Sequence, residues 1–491
     1  MLRISLNDFK FNSSFGQQYS KEFISHRGAV KISETEDEVQ IALSDEKDTR
    51  LRGELENFHR PKKTVFYIIS KAQLATFVGE TTEIESFKAD EKHNDERLIA
   101  LDSITEGAPL VNIINAICIE AIRLESSDIH IEAQADCVHI RYRIDGILRT
   151  VKKIDKSVFL TISNRIKIMA SLNPLEQRLP QDGRMSVTID KNTIDLRVSV
   201  IPVANGESIV LRIFNTTTKL LALEDLGFYP EDLCAIKTAS LNPFGLILLT
   251  GPTGSGKTTT LHALLSSLPV NELKIITIED PVEQLIGGVN QVQVNDEINL
   301  SFDGMLRRVL RQDPNVIMVG EIRDTPTAEL ALRSALTGHL ILSTLHTNDS
   351  VSVITRLENM GIEPFLIAAV LRCSVAQRLV RKLCPLCKKK IVVSKKIKSL
   401  MTKYKVQSDE VYEKEGCGEC DYTGFKGRTV ISEVFTMDKN LEGMIIQRQS
   451  VSKIADYAQA YTGMNSMAKN ALQKAADGIT TIQEIEREVF F

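Results

Sequence analysis

The sequence predicts an α/β protein built on a parallel-rich sheet, preceded by a smaller α+β domain and a small N-terminal α/β domain. Three observations carry this prediction. Four short apolar runs, GLILLTG (245–251), KIITIED (274–280), NVIMVGE (315–321) and HLILSTLH (339–346), lack polar alternation and are separated by helical segments. That is the pattern of strands buried on both faces. The first run leads directly into Gly251-Pro252-Thr253-Gly254-Ser255-Gly256-Lys257-Thr258, which fits G-x-x-x-x-G-K-[ST]. Upstream, residues 138–144 alternate strictly between apolar and polar, as a half-buried antiparallel strand does, and end at the turn pair Asp145-Gly146.

The 491 residues are too many for one core. Residues 1–79, with short apolar stretches such as TVFYIIS (64–70) among many charges, read as a small α/β domain. Residues 80–97 are polar and charged and read as a linker. The α+β domain spans 98–214. It opens with a helix after Pro109, where Leu110, Ile113, Ile114, Ile117, Ala121 and Leu124 recur at helical spacing. It closes with strands near 185–190, 194–201 and 208–214, flanked by the turn signals Asp182-Gly183 and Asn205-Gly206. A hinge is expected at 215–227, the phosphate-loop domain at 228–380, a cysteine-bearing subdomain at 381–428 and a helical subdomain at 429–491.

Charged residues make up 25% of the chain and the net charge is −4, so any nucleic-acid surface must be local. No apolar run approaches the roughly 20 residues of a membrane span, and the N-terminus lacks a signal-peptide core; a cytosolic protein is expected. Of the eight cysteines, Cys118, Cys137, Cys234 and Cys373 are isolated and read as small hydrophobes. Cys384-x-x-Cys387 and Cys417-x-x-Cys420 form two pairs, an arrangement that chance produces in about one chain in a hundred of this cysteine content. Four thiolates suit a structural tetrahedral Zn²⁺; an Fe–S cluster is the weaker reading. Between the pairs, residues 381–405 hold ten Lys or Arg and no acid, which fits either acidic phospholipid contact or a solvated face.

In the glycine-rich loop, backbone N–H groups and the helix N-terminus favour bound phosphate. Gly251, Pro252, Thr253, Gly254, Ser255, Gly256, Lys257, Thr258 and Thr259 are the candidate nucleotide contacts, with Lys257 reaching the β- and γ-phosphates and Thr258 holding Mg²⁺. Glu321 ends the hydrophobic run 316–319 and resembles a Walker B acid, with glycine in place of the usual aspartate, so it would serve the metal alone. Glu279, Asp280 and Glu283 end another buried strand, where ligands of open α/β sheets collect. Glu279 is the candidate to orient or deprotonate water, and Asp280-Pro281 also reads as a plain turn. His339 and His346 bracket one strand and are candidates for γ-phosphate sensing. Arg197, Arg212, Arg307 and Arg311 are planar cations suited to a transferring phosphoryl group, or solvated surface charges.

These motifs together resemble the secretion ATPases of type II secretion and type IV pilus assembly. The resemblance rests on GPTGSGKTTTL, ITIEDPVE, LRQDPNVIMVGEIRD, LTGHLILSTLHTNDS, QRLVRKLCPLC and GCGECDYTGFKGRT, with SSDIHIEA, YRIDGILR, PQDGRMS and DLRVS upstream; it spans about 98–491. It implies a RecA-like P-loop ATPase core behind a PAS-like domain, assembled as a hexameric ring that hydrolyses ATP against an inner-membrane platform protein, on the cytoplasmic face of that membrane. By the resemblance Glu321 is the Walker B acid, Glu279 the general base, His339 and His346 the histidine-box pair, and the four arginines phosphate contacts. The cysteines match the family's zinc-binding insertion, which points to assembly rather than retraction. Where the family usually reads Gly-Glu-Arg, this chain has Gly206-Glu207-Ser208, and a stabilising contact at that bend is expected to be missing. The chain length favours type II secretion over pilus assembly, with the N-terminal domain docking the cytoplasmic part of a secretion protein. A nucleotide-gated scaffold is disfavoured by the retained acids and histidines. A nucleic-acid-stimulated motor is disfavoured because only Tyr404 interrupts the lysines.

Overall fold

The computed structural model describes residues 28–35, 37–44, 48–69, 110–189, 192–214, 220–295, 298, 300–489 and 491. The expected linker at 80–97 lies outside them.

Near the N-terminus, β1 (Ala29–Glu34) pairs antiparallel with β2 (Glu38–Leu43), and α1 (Thr49–His59) crosses over to a parallel β3 (Lys63–Ile68). Asp48 caps α1 by accepting the Leu51 N–H at 2.8 Å, and Leu51 and Leu55 pack on Val39 and Ile41.

The α+β unit contains α2 (Leu110–Arg123), β4 (Asp128–Ala133), β5 (Cys137–Ile144), β6 (Ile147–Asp155), α3 (Phe159–Met169), β7 (Gln181–Ile189), β8 (Asn192–Val203) and β9 (Gly206–Phe214). Its six strands run antiparallel in the order β6-β5-β4-β9-β8-β7. Ile129, Ile131, Ile140, Tyr142, Leu196, Val198 and Leu211 bury one face under Ile114, Ile117, Ile162 and Ile166 of the helices. The period-2 alternation therefore puts Arg184, Arg197, Arg212, Asp128 and Arg143 in one row across the opposite face. Asp182-Gly183, read above as a turn, lies inside β7. A side chain at Gly183 would come within 2.5 Å of the Ala170 carbonyl, so this glycine serves the close approach of α3 rather than a reversal. The bend at Gly206-Glu207 is held from within: the buried Glu207 carboxylate accepts from Ser163 and pairs with Lys167, itself fully buried.

The third unit runs through α4 (Pro230–Ser240), β10 (Gly245–Thr250), α5 (Lys257–Ser267), β11 (Ile275–Glu279), β12 (Asn290–Gln293), α6 (Phe302–Val309), β13 (Val316–Val319), α7 (Thr325–Leu336), β14 (Leu340–Leu345), α8 (Val353–Asn359), α9 (Pro364–Val370) and β15 (Leu371–Leu383). After β15 come β16 (Lys389–Val392), α10 (Lys395–Lys403), β17 (Glu410–Glu413), β18 (Phe425–Thr436), α11 (Lys439–Ile446), α12 (Val451–Tyr461), α13 (Met467–Ala476) and α14 (Ile482–Glu488). The main sheet has the order β12-β11-β13-β14-β10-β15-β18, parallel except for the final β15–β18 pair. Every residue of β10, β11, β13 and β14 is buried, which explains their lack of alternation. Of the expected hinge, 215–219 lies outside the described residues, while Leu223 and Leu226 are packed into this core beside Ile247 and Leu249. No described helix is long and apolar enough to cross a membrane.

Candidate active site and metal centre

Parallel register brings the chemistry-bearing loops to one edge. β10, β11, β13 and β14 all end on the same side, so the segments after Thr250, Glu279, Val319 and Leu345 converge there. The loop after β10 closes onto α5 through Gly251 and Gly256, with φ of 146° and 87°. Those left-handed conformations need glycine, and they let the amides of α5's first turn face outward. Lys257 Nζ donates to the carbonyls of Gly251 (2.7 Å) and Pro252 (3.1 Å) across the loop mouth. Burial lowers its pKa; the Glu321 carboxylate opposes that shift and the Arg378 charge adds to it, so the site's acid and base share one field.

Glu321 follows β13 and is held by Arg323, with His346 Nε2 3.7 Å from its other oxygen. The Thr250 hydroxyl locks the histidine-bearing loop to β10 through Thr347 (Oγ1 to Oγ1 2.7 Å; Thr347 N–H 2.7 Å). Asp280, Glu321, Arg323 and Asp324 line a cavity of about 150 Å³ beside this edge.

Glu279 does not have the surroundings expected of a base. It is 3% exposed, and both oxygens already accept hydrogen bonds: Oε1 from Thr277 Oγ1 (2.6 Å) and Gln291 Nε2 (2.9 Å), Oε2 from His262 Nε2 (3.1 Å). Burial opposes its ionisation, but His262, Gln291 and Thr277 outweigh burial and hold the carboxyl below its ordinary pKa. A carboxylate held this way is a poor proton acceptor. Glu283, four residues on, shifts the other way. Desolvation pushes its carboxyl up and the Glu279 charge adds to this, against the opposing charges of His262 and Arg212. His262, in the middle of α5, gave no sequence signal. Only its contact with Glu279, 17 residues away, gives it a role.

The two histidines separate. His346 joins Glu321, but His339 precedes β14 and bonds Ser334 O through Nδ1 (3.0 Å) at the opposite edge of the sheet. β14 is a fully extended six-residue strand, so His339 is excluded from this chain's own phosphate site by about 20 Å. The arginines separate too. Arg212 bonds Asp128 at 2.9 Å, and its charge reaches Glu283. Arg197 lies directly across the ladder from it, exposed. Arg307 and Arg311 stay exposed on and after α6 with local partners, Asp303 at 3.7 Å and the Arg307 carbonyl at 2.8 Å.

The four thiols of Cys384, Cys387, Cys417 and Cys420 all lie within 4.8 Å of one another. Three Sγ–Sγ separations are 3.7 to 3.8 Å. A tetrahedral MS₄ site with Zn–S near 2.3 Å has edges of about 3.8 Å. Backbone N–H groups of Gly416, Cys417 and Gly424 donate to sulfur at 3.2–3.3 Å. Burial resists ionisation of Cys420, yet the Cys417 and Gly424 amides and the neighbouring thiols bring it down to about 6. The donor set fits a structural metal ion, held where the β15–β18 ladder ends.

With the site's geometry in place, the comparisons decide the family. Residues 103–487 match the family described as "Type II/IV secretion system protein". The chain belongs to this family. It is a P-loop ATP hydrolase. It is 44% identical over 382 residues to the "Type II secretion system protein HxcR" of Pseudomonas aeruginosa, covering 78% of each chain. It is 42% identical to the "Type IV pilus assembly ATPase PilB" of Myxococcus xanthus, covering 86% of this chain and 74% of that one. It is 40% identical to the "Type II secretion system ATPase E" of Vibrio cholerae (84% and 82%). Among solved structures, the Legionella pneumophila ATPase DotB aligns at TM-score 0.57 and 20% identity over 76% of this chain and 94% of that one, a likeness of fold.

Proposed function

We propose that this family member hydrolyses ATP to drive pseudopilus assembly and protein export in a type II secretion system. The observation that carries the reading is the convergence of Lys257, Glu321, His346 and the Glu279–Glu283 carboxylates on the edge where the glycine loop opens. Thr258, half-buried in the first turn of α5, and Glu321 would hold Mg²⁺, which would neutralise charge on the phosphates. Residues 251–259 would cradle the nucleotide. Glu279 orients the site by fixing His262 and Gln291, and Glu283, exposed four residues on in the segment after β11, is the accessible carboxylate to take the proton from the attacking water. Arg212, whose charge reaches Glu283, and Arg197 across the ladder from it would face the phosphates from the antiparallel sheet. Arg307 and Arg311, exposed on and after α6, and His339, at the opposite edge of the sheet, would act across a subunit boundary, as in a hexameric ring. The four cysteines would hold Zn²⁺, which would fix the β15–β18 tip, and the lysines nearby would face acidic headgroups of the inner membrane. The N-terminal domain docks the cytoplasmic part of a platform protein.

Loss of secretion in cells carrying only Lys257→Ala, with normal protein level, is the expected result; secretion at wild-type level would contradict the reading. A second reading, type IV pilus extension, draws on the 42% identity to the Myxococcus pilus ATPase. Co-purification with a secretion platform protein or with a pilus platform protein separates the two.

A further inference from the structure

The glycine loop does not stand unsupported. β15 runs parallel to β10, and their ladder ends at Thr250 opposite Ala376. The next residues, Gln377 and Arg378, therefore lie where β10 becomes the loop. Gln377 is fully buried, and its Nε2 donates to the Ser255 carbonyl at 2.7 Å across 122 residues of sequence. Its own carbonyl is so close to the loop that a side chain at Gly251 would meet it at 2.5 Å. A Cβ at Gly256 would approach Gln377 Nε2 to 3.2 Å. One residue thus backs both ends of the loop.

The consequence follows from peptide planarity. In a trans peptide the C=O and the following N–H point in opposite directions. Gln377 holds the Ser255 carbonyl toward the core, so the Gly256 N–H is turned away from the core, toward the phosphate side. Arg378 continues the brace. Its Nη1 donates to the Gln377 carbonyl and its Nη2 to the Asn348 carbonyl, both at 3.0 Å, which joins the strand behind the glycine loop to the loop after β14. The same loop is pinned by Glu433, which accepts from Ser350 N (2.9 Å), Ser350 Oγ (2.7 Å) and Met467 N (3.1 Å). Two buried polar atoms at this contact, Ser255 Oγ and Gln377 Oε1, have no hydrogen-bond partner, as happens where a structure keeps capacity for a ligand-bound arrangement.

We propose that Gln377 and Arg378 are positioning residues for the ATP phosphates: Gln377 sets the orientation of the Ser255–Gly256 peptide, and Arg378 fixes the Gln377 backbone behind the glycine loop to the histidine-bearing loop. The proposal rests on the glycine loop being the ATP site. Its test uses the full-length protein, a fluorescent ATP analogue and steady-state turnover. Gln377→Met keeps the length and packing but removes the donor. It is expected to weaken ATP binding and raise KM about tenfold while kcat at saturation stays within about threefold. Amide exchange in residues 251–258 should rise in this variant and stay unchanged in β14. Gln377→Glu, which sets an acceptor against the Ser255 carbonyl, should bind more weakly still, and Arg378→Lys should recover most of what Arg378→Ala loses. Unchanged affinity and unchanged loop exchange in Gln377→Met would overturn the proposal, provided Lys257→Ala loses binding. If Lys257→Ala also binds normally, the ATP-site assignment itself has failed.

Discussion

The glycine loop, beside the middle of β15, and the tetracysteine tip, at its C-terminal end, are held in opposite ways. Around the loop, Lys257 has two carbonyls, Glu279 three donors, and Thr250 the whole Thr347 turn. At the tip the thiols have chiefly one another and three backbone amides. The first arrangement is built by folding, and the second needs an ion to bind its four ligands together. Chemistry and scaffolding therefore respond to different perturbations.

The largest expected effect breaks the first region alone. Lys257→Ala should reduce ATP turnover to background while leaving the thermal melt within a few degrees, as phosphate-release assays and calorimetry would show. Next, Glu283→Gln should lower kcat by about 10² with little change in KM. Glu279→Gln instead strips the charge that His262, Thr277 and Gln291 hold, and should cost stability of about 1–3 kcal/mol. Equal kinetic losses in the two variants, without a stability difference, would erase the distinction between positioning acid and base. The second region breaks separately: chelation or Cys417→Ser should speed proteolysis within 388–405 by about tenfold or more, without altering nucleotide binding by the core.

The smallest effect concerns a buried charge on α13. Lys474 is 1% exposed, donates to the Gly227 carbonyl at 2.5 Å, and has its pKa lowered to about 8 by burial, against the Asp232 and Asp477 charges. Between pH 8 and the ordinary lysine range the unfolded chain holds a proton that the folded chain has released, so stability rises with pH there. The slope is at most about 1.4 kcal/mol per pH unit. Melting curves of Lys474→Met should lack that rise.

What the sequence reveals is what is local. The glycine loop, the cysteine pairs and the four apolar strands are each encoded within a dozen residues, and the fold places them as expected. Long-range partners leave no such mark. Lys167 and Lys474 look like solvent-facing helix charges until Glu207 and Gly227 come to them across 40 and 247 residues. Gln377 is one polar residue in a strand until Ser255 reaches it. The separation of His339 from His346 follows from strand geometry, but which of the two lies beside the glycine loop required the register of β14 on β10. Asp182-Gly183 misled because a glycine chosen for close packing is indistinguishable, in sequence, from one chosen for a turn.

The most direct test of the account is phosphate release per subunit measured against protein concentration, for wild type and Lys257→Ala side by side. The account predicts a rate that climbs with concentration, as neighbouring subunits contribute Arg307 and Arg311, and that is absent at every concentration in the variant. Wild-type turnover in Lys257→Ala would contradict the assignment of the glycine loop as the site of hydrolysis.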